Sequence, residues 1–450
     1  MSTTERKDVF EGLSAPRAIV KFAVPTILSQ LVTLVYNLAD TFFVGHTNDP
    51  AQVAALTLSF PLFMLLTMVG NLFGVGANSF ISRSLGQGRR DRAEVASTFA
   101  FYGALAAVAV LMAVLGIGMK PILAGIGAVT AEGFAATKAY LTWTVLIGGM
   151  PTAGAMMLGH LIRSEGNARQ ASIGLALGGI LNIGLDYVFV PVLGMGARGA
   201  AIATCIANVI SFLYLLAVAL RSRDSVIVLS PGKLRLEGAV MKQVILVGLP
   251  AAAVIVLGSS ANMLLTHLMS DYGDVSIAAY GIVQKIGTIG IQITVGLTQG
   301  IMPLLGYCYG AGDMKRLKEI NRWSFGLLGG YAAACILVVE VFAPSLVRLF
   351  IGEAETVAKG VGFLRIWFLC APGMCFTNLF CSIFQAMGKW VHSLALSVIR
   401  QLGLLIPLLV VLNTLAGESG IVCAQPAADI ASLIIGIAVY RSLMKKQNFT

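Results

Sequence analysis

Two carboxylates stand where a carboxylate is expensive. Asp40 falls near the far end of the apolar run 25–46, PTILSQLVTLVYNLADTFFVGH, and Asp186 falls inside a later one. A charged group at bilayer depth costs about 2.5–3.5 kcal/mol on insertion scales, and such groups usually face a cavity or a partner. Tyr36 and Asn37, one helical turn before Asp40, share its face, as Asn182 shares that of Asp186. Counted along helices at 1.5 Å per residue, both acids lie toward the outer leaflet, and Thr204, Asn208 and Tyr140 reach a similar depth in neighbouring segments. Two carboxylates at one level must be protonated, share a proton or hold a cation. Oxygens of this kind suit Na⁺ as well as H⁺. The bland alternative is that these groups bond helices together, each pair contributing about 0.6 kcal/mol.

The acids lie in the first half of the chain alone: the repeat positions of Asp40 and Asp186 are Leu265 and about Leu408. The second half offers Gln284, Lys285, Gln299, Arg365 and Arg400 as buried-looking polar groups, with Lys285 either lining a cavity or bonding backbone carbonyls. Glu340, beside Pro344, reads as interfacial. No HExxH, GxSxG or P-loop is present, and Asp40 and Asp186 lack the YD and GxGD contexts of intramembrane aspartyl proteases, so catalysis is not expected. The seven cysteines have no ligand spacing and the four histidines stand alone, so neither a disulfide framework, a zinc site nor any other cofactor is expected.

The elements that must position these groups are membrane helices. Of 450 residues, 57% are hydrophobic and 12% charged, with a mean hydropathy of +0.86. An ordinary soluble globule is excluded. Twelve apolar segments run from 16–44 to 419–441, each long enough to cross the hydrocarbon core, and no cleavable leader precedes the first. The even-numbered connections carry sixteen Lys and Arg, Arg163 among them, and the odd-numbered ones five. That bias puts both termini in the cytoplasm of a multi-pass cell-membrane protein. The net charge of +10 therefore reflects topology and the lipid bilayer, with no nucleic-acid partner.

A repeat organises the segments. Pro25 with Asn37 matches Pro250 with Asn262, Ala54-Ala55 matches Ala278-Ala279, Leu85-Gly86-Gln87-Gly88 matches Tyr309-Gly310-Ala311-Gly312, and Gly166 matches Gly388, all in order. The division follows: a cytoplasmic segment 1–15, an N-lobe 16–220, a cytoplasmic linker 221–238, a C-lobe 239–441 and a tail 442–450. The fold expected is all-α, twelve transmembrane helices in two pseudo-symmetric six-helix bundles, with the transport path between them. Pro25 removes a backbone donor near the start of its span and is the expected hinge.

The run Pro25, Asn37, Asp40, the turn at 85–88, Arg-Ser-Glu-Gly-Asn at 163–167 and Asn-Ile-Gly-Leu-Asp at 182–186 together resemble the multidrug and toxic compound extrusion (MATE) family, over nearly the whole chain. The resemblance implies a V-shaped monomer that exports organic, often cationic and amphiphilic small molecules in exchange for H⁺ or Na⁺. Its first-lobe cation site carries over onto Asp40, Asn182, Asp186 and Thr204, with Tyr36, Asn37, Tyr140 and Asn208 beside it. Where the NorM-like branch places acids in the seventh and tenth helices, this chain has Asn262, Thr377 and Asn378, which favours a DinF-like or MepA-like branch. The alternative within the same superfamily is a flippase for a lipid-linked saccharide. A channel would not need two unequal halves.

Overall fold

The computed structural model describes residues 8–47, 49–126, 130–222 and 224–446, so the outermost parts of the 1–15 and 442–450 segments lie outside the described residues. Among the described residues, every regular element is helical. The spans are α1 (Ala15–Gly45), α2 (Pro50–Gly86), α3 (Arg90–Ile117), α4 (Ala131–Ile147 with Gly149–Ser164, bent by 49°), α5 (Ala168–Val192), α6 (Gly196–Arg221), α7 (Gly238–Ser270), α8 (Asp274–Ala311), α9 (Met314–Arg348) and α10 (Ala354–Phe368 with Ala371–Ala386, bent by 42°). The last stretch, Trp390–Lys445, has 56 residues, and a straight helix of that length would run roughly 84 Å, far more than one bilayer. Gly417, at φ 60° and ψ −139°, breaks it. It is therefore two spans, α11 (residues 390–416) and α12 (residues 418–445), and among the described residues the total is the expected twelve.

Local chemistry sets the ends of these helices. Pro50 opens α2 without wasting a donor, and the Asp49 carboxylate accepts from Ala51 N at 2.9 Å. Left-handed glycines close the turns at Gly88 and Gly312 and at Gly166 and Gly388. Each pair occupies equivalent places in the two halves. The bends in α4 and α10 are equivalent too, at Gly148 and at the Leu369–Cys370 step. Nothing in their apolar composition announces them. By contrast α1 continues as a helix through Pro25, and Ser and Thr hydroxyls around it bond back onto the helix, Thr26 to Phe22 O at 2.9 Å among them.

The two six-helix lobes touch in the half that holds the termini. There Gly76 of α2 lies so close to α7 that an added methyl would overlap the Val244 carbonyl, and its counterpart Gly300 of α8 also leaves no room for one against Phe22 and Ala23 of α1. Small residues allow such backbone approach in membranes, where no hydrophobic effect drives helices together. Gln30 also meets Gln299 across the lobes, and Ser79 donates to Gln385 O. These hydrogen bonds between the lobes lie in this half, and the lobes diverge toward the far end as a V.

Two segments expected to be plain connections are built in. Phe10, fully buried, stacks on Tyr307 with ring centroids 4.4 Å apart, and Tyr307 Oη donates to Glu11 Oε1 at 2.6 Å. The segment before α1 thus docks on the opposite lobe. The linker is fastened to the first lobe: Ser97, Thr98 and Tyr102 of α3 donate to the carbonyls of Val226, Val228 and Leu229, each at 2.8 Å. Glu165 accepts from Ser225 Oγ at 2.7 Å and from Val226 N.

Candidate functional site

α1, α5 and α6 bring four polar side chains to one point in the far half of the first lobe. Gly179 on α5 has no side chain to hold off α1, which packs there through Val32 and Tyr36. One turn further along α1, Asp40 is buried, and it meets Asn182, Asp186 and Thr204, all buried. Asn182 lies between the acids: with its amide nitrogen assigned toward them it donates to Asp40 Oδ1 at 3.2 Å and to Asp186 Oδ2 at 3.3 Å, while its oxygen accepts from Thr204 Oγ1 at 3.3 Å. The reverse amide orientation would set an oxygen against two carboxyl oxygens, which an acceptor tolerates only with a cation between them. The two carboxyls also lie within hydrogen-bonding reach of each other, and Asp186 Oδ1 is buried with no partner. Such a cluster is incomplete without a proton or a positive ion.

The oxygens fit a small hard cation in type, two carboxylates, an amide and a hydroxyl. Asp40, Tyr36, Asn37, Tyr140 and Thr204 line a cavity of about 290 Å³ that gives access to the cluster. Asn208 is not part of it. Its amide donates to Thr152 Oγ1 at 2.9 Å and borders a second, larger cavity.

That second cavity, about 430 Å³, lies between the lobes, with Asn37, Thr67 and Asn208 from one and Gln292, Gln299 and Asn378 from the other. Its size is that of a drug-sized ligand site. Among the described residues no Asp or Glu lines it, and its basic residues are His160, Arg163 and Arg400.

The second lobe departs from what the sequence leads one to expect. Lys285 is exposed and lines neither cavity, and Gln284 donates to Asn262 Oδ1 instead of facing one. Arg365 is half exposed and pairs with Glu340 at 3.3 Å, so it is not buried. Arg400 does reach the central cavity, and there it is ion-paired with Asp429, a fully buried acid on α12 that also accepts from Gln425 at 2.8 Å. Acids are therefore not confined to the first half. The signal was present, since Gln425 precedes Asp429 by one turn as Asn182 precedes Asp186. The π-helical stretch Ile399–Leu405, which carries Arg400 and Gln401 to the cavity wall, has no comparable sequence mark.

Two six-span lobes joined at one end, a polar cavity between them and a buried carboxyl pair to one side describe a membrane carrier. The chain belongs to the MatE family, whose model matches residues 25–188 and again 250–411, once in each lobe. It is a multi-pass membrane transporter, not an enzyme. It is 28% identical over 434 residues to the multidrug export protein MepA of Staphylococcus saprophyticus, covering 96% of this chain and 95% of that one. MepA of Staphylococcus haemolyticus is 26% identical over 439 residues, covering 97% and 96%. The fold superposes over all of both chains on a MATE crystal structure in complex with MaL6, with a TM-score of 0.93 at 23% identity. On an outward-facing multidrug resistance MATE family transporter of the MOP superfamily the TM-score is 0.91, again at 23% identity.

Proposed function

We propose that this protein is a secondary multidrug antiporter, which exports organic small molecules through the central cavity in exchange for H⁺ or Na⁺ at the first-lobe cluster. The observation that carries the reading is Asn182 held between Asp40 and Asp186, beside a carboxyl oxygen with no partner. The MepA relatives, named as multidrug export proteins, support the cargo. The basic connections cluster at the closed end, which by the positive-inside rule faces the cytoplasm with both termini. The cavity then opens outward. The lobe interface is internal to one chain, so a monomer suffices.

In this cycle Asp40 and Asp186 take up the coupling ion from outside while the terminal half stays closed. Asn182 reports the occupant through its amide: nitrogen toward the acids when they share a proton, oxygen toward them when Na⁺ sits between. Filling the cluster changes what α1 packs against, and α1 also walls the central cavity through Gln30, Thr33 and Asn37. Substrate leaves as that wall moves, and release of the ion to the cytoplasm resets it. Each inward elementary charge supplies about 2.3 kcal/mol per 100 mV. The flippase reading is weaker, because a pyrophosphate would want several basic side chains, and one of the two arginines here is neutralised by Asp429.

The test is efflux of a fluorescent drug from proteoliposomes with Na⁺ and pH gradients imposed separately. One gradient alone should drive transport, and Asp40→Asn and Asn182→Leu should each lower that driven rate about tenfold or more, the loss of one charged-group hydrogen bond. Full gradient-driven transport by Asp40→Asn would contradict the assignment.

A further inference from the structure

Arg163 is the residue the proposed cycle does not use. It sits at the terminal end of α4, on the floor of the central cavity, and is 2% exposed. None of its guanidinium nitrogens has a hydrogen-bond or ion-pair partner among the described residues, and Nε is fully enclosed. One turn earlier on the same face stands His160, also lining the cavity. Asn71 uses its amide nitrogen on Thr67 O at 2.9 Å, so its oxygen accepts from His160 Nε2 at 3.3 Å and leaves Nδ1 without a partner. Two adjacent buried side chains of one cavity wall thus hold unpaired polar atoms, and among the described residues that wall has no carboxylate.

A buried guanidinium without an anion is strongly unfavourable. Arg400, the other arginine on the wall, has its anion in Asp429. Arg163 has none supplied by the described chain. We propose that the floor of the central cavity is an anion subsite, in which Arg163 receives the carboxylate of a zwitterionic or acidic amphiphile. This rests on the export reading above and narrows its cargo: the apolar body of the substrate lies between the lobes, with its acid end down against α4. A guanidinium fork matches a carboxylate in two parallel hydrogen bonds. No bond is made or broken, and the ligand enters and leaves as an ion.

The experiment compares a rhodamine bearing a free benzoate with its methyl ester, which differ in that charge and one methyl group. Binding to the purified full-length protein is followed by fluorescence polarisation, and transport in proteoliposomes under the gradient that drives efflux. Wild type should bind the acid about tenfold or more tightly than the ester, as expected for a charge-assisted hydrogen bond. Arg163→Gln should bring the acid down to the level of the ester and leave the ester unchanged, and Arg163→Lys should recover part of the preference. Equal affinity of wild type for the two dyes overturns the subsite, whatever the variants do, and so does a loss that falls on both dyes alike. If wild type moves neither dye under any gradient, the export reading itself fails.

Discussion

Gly86 and Gly310 make reciprocal contacts across the lobe interface: Gly86 presses on the carbonyl of Tyr307, and Gly310 presses on the carbonyl of Arg83. Each glycine meets the residue three places before the other, as a twofold axis between the lobes requires. The pairing explains why the turns 85–88 and 309–312 resemble each other in sequence. It also defines the seal at the closed end, because neither contact can form if either residue carries a Cβ.

Gly86→Ala and Gly310→Ala should therefore open that end, and by similar amounts. The clash is with backbone, which cannot rotate away, so overpacking of about 1–3 kcal/mol is expected for each. That is enough to move a two-state equilibrium by roughly five- to 150-fold. Distances between spin labels on the two lobes should shift toward a wider terminal half, and a membrane-impermeant thiol reagent should label cysteines placed near Gln385 faster in both variants than in wild type. Unchanged distances in both would mean the contact is incidental.

The Arg400–Asp429 pair invites a different measurement. Asp429 is fully buried beside Gly373, whose missing side chain lets α10 approach α12 there. Breaking a buried pair by removing one partner typically costs 3–5 kcal/mol, whereas replacing both with apolar residues is often neutral. Asp429→Leu alone should lower the thermal unfolding midpoint in detergent markedly, and Arg400→Met with Asp429→Leu should restore most of it. If the double variant still couples efflux to the ion gradient, the pair is structural and the first-lobe cluster carries the coupling. If coupling is lost while stability returns, a second ion site in the C-lobe has to be considered.

Some of this was legible in the residues and some was not, for physical reasons. Asp40 and Asp186 are visible because an acid in an apolar run has few reasons to be there, and helical spacing then picks out Asn182. Thr204 follows from depth. Asp429 was missed although it has the same one-turn amide companion, since it lies among small residues after Pro426 and its partner Arg400 reads as a lone charge. Which helix faces which is tertiary information. Arg163 reads as one of the charges that set topology because it stands at a span's edge, and only the packing shows that the edge is the cavity floor. The bends in α4 and α10 and the π-helical stretch of α11 come from how the lobes close, and apolar composition is the same on either side of them.

The last expectation concerns the segment ahead of α1, which reads as a polar cytoplasmic extension and is in fact a strap. Phe10 precedes the first lobe in sequence, and it lies between the Gly166 turn of that lobe and the Tyr307 ring of the other, with no exposed surface. Glu11 takes the Tyr307 hydroxyl, and Arg316 of the second lobe donates to Leu13 O at 2.6 Å. These contacts bridge the lobes across the closed terminal half, so they should favour the state open at the far end. Phe→Ala truncation of a fully buried ring costs about 3–5 kcal/mol, and here it should fall largely on that one state. Phe10→Ala should give protein that still folds and binds drug but populates the opposite conformation, seen as faster labelling at the terminal side. Tyr307→Phe removes only the hydroxyl bond to Glu11 and should shift the balance in the same direction by about 0.5–1.5 kcal/mol, or up to 3 if Glu11 is ionised. A Phe10→Ala protein with unchanged labelling at both ends would show that the strap merely covers the interface and does not bias it.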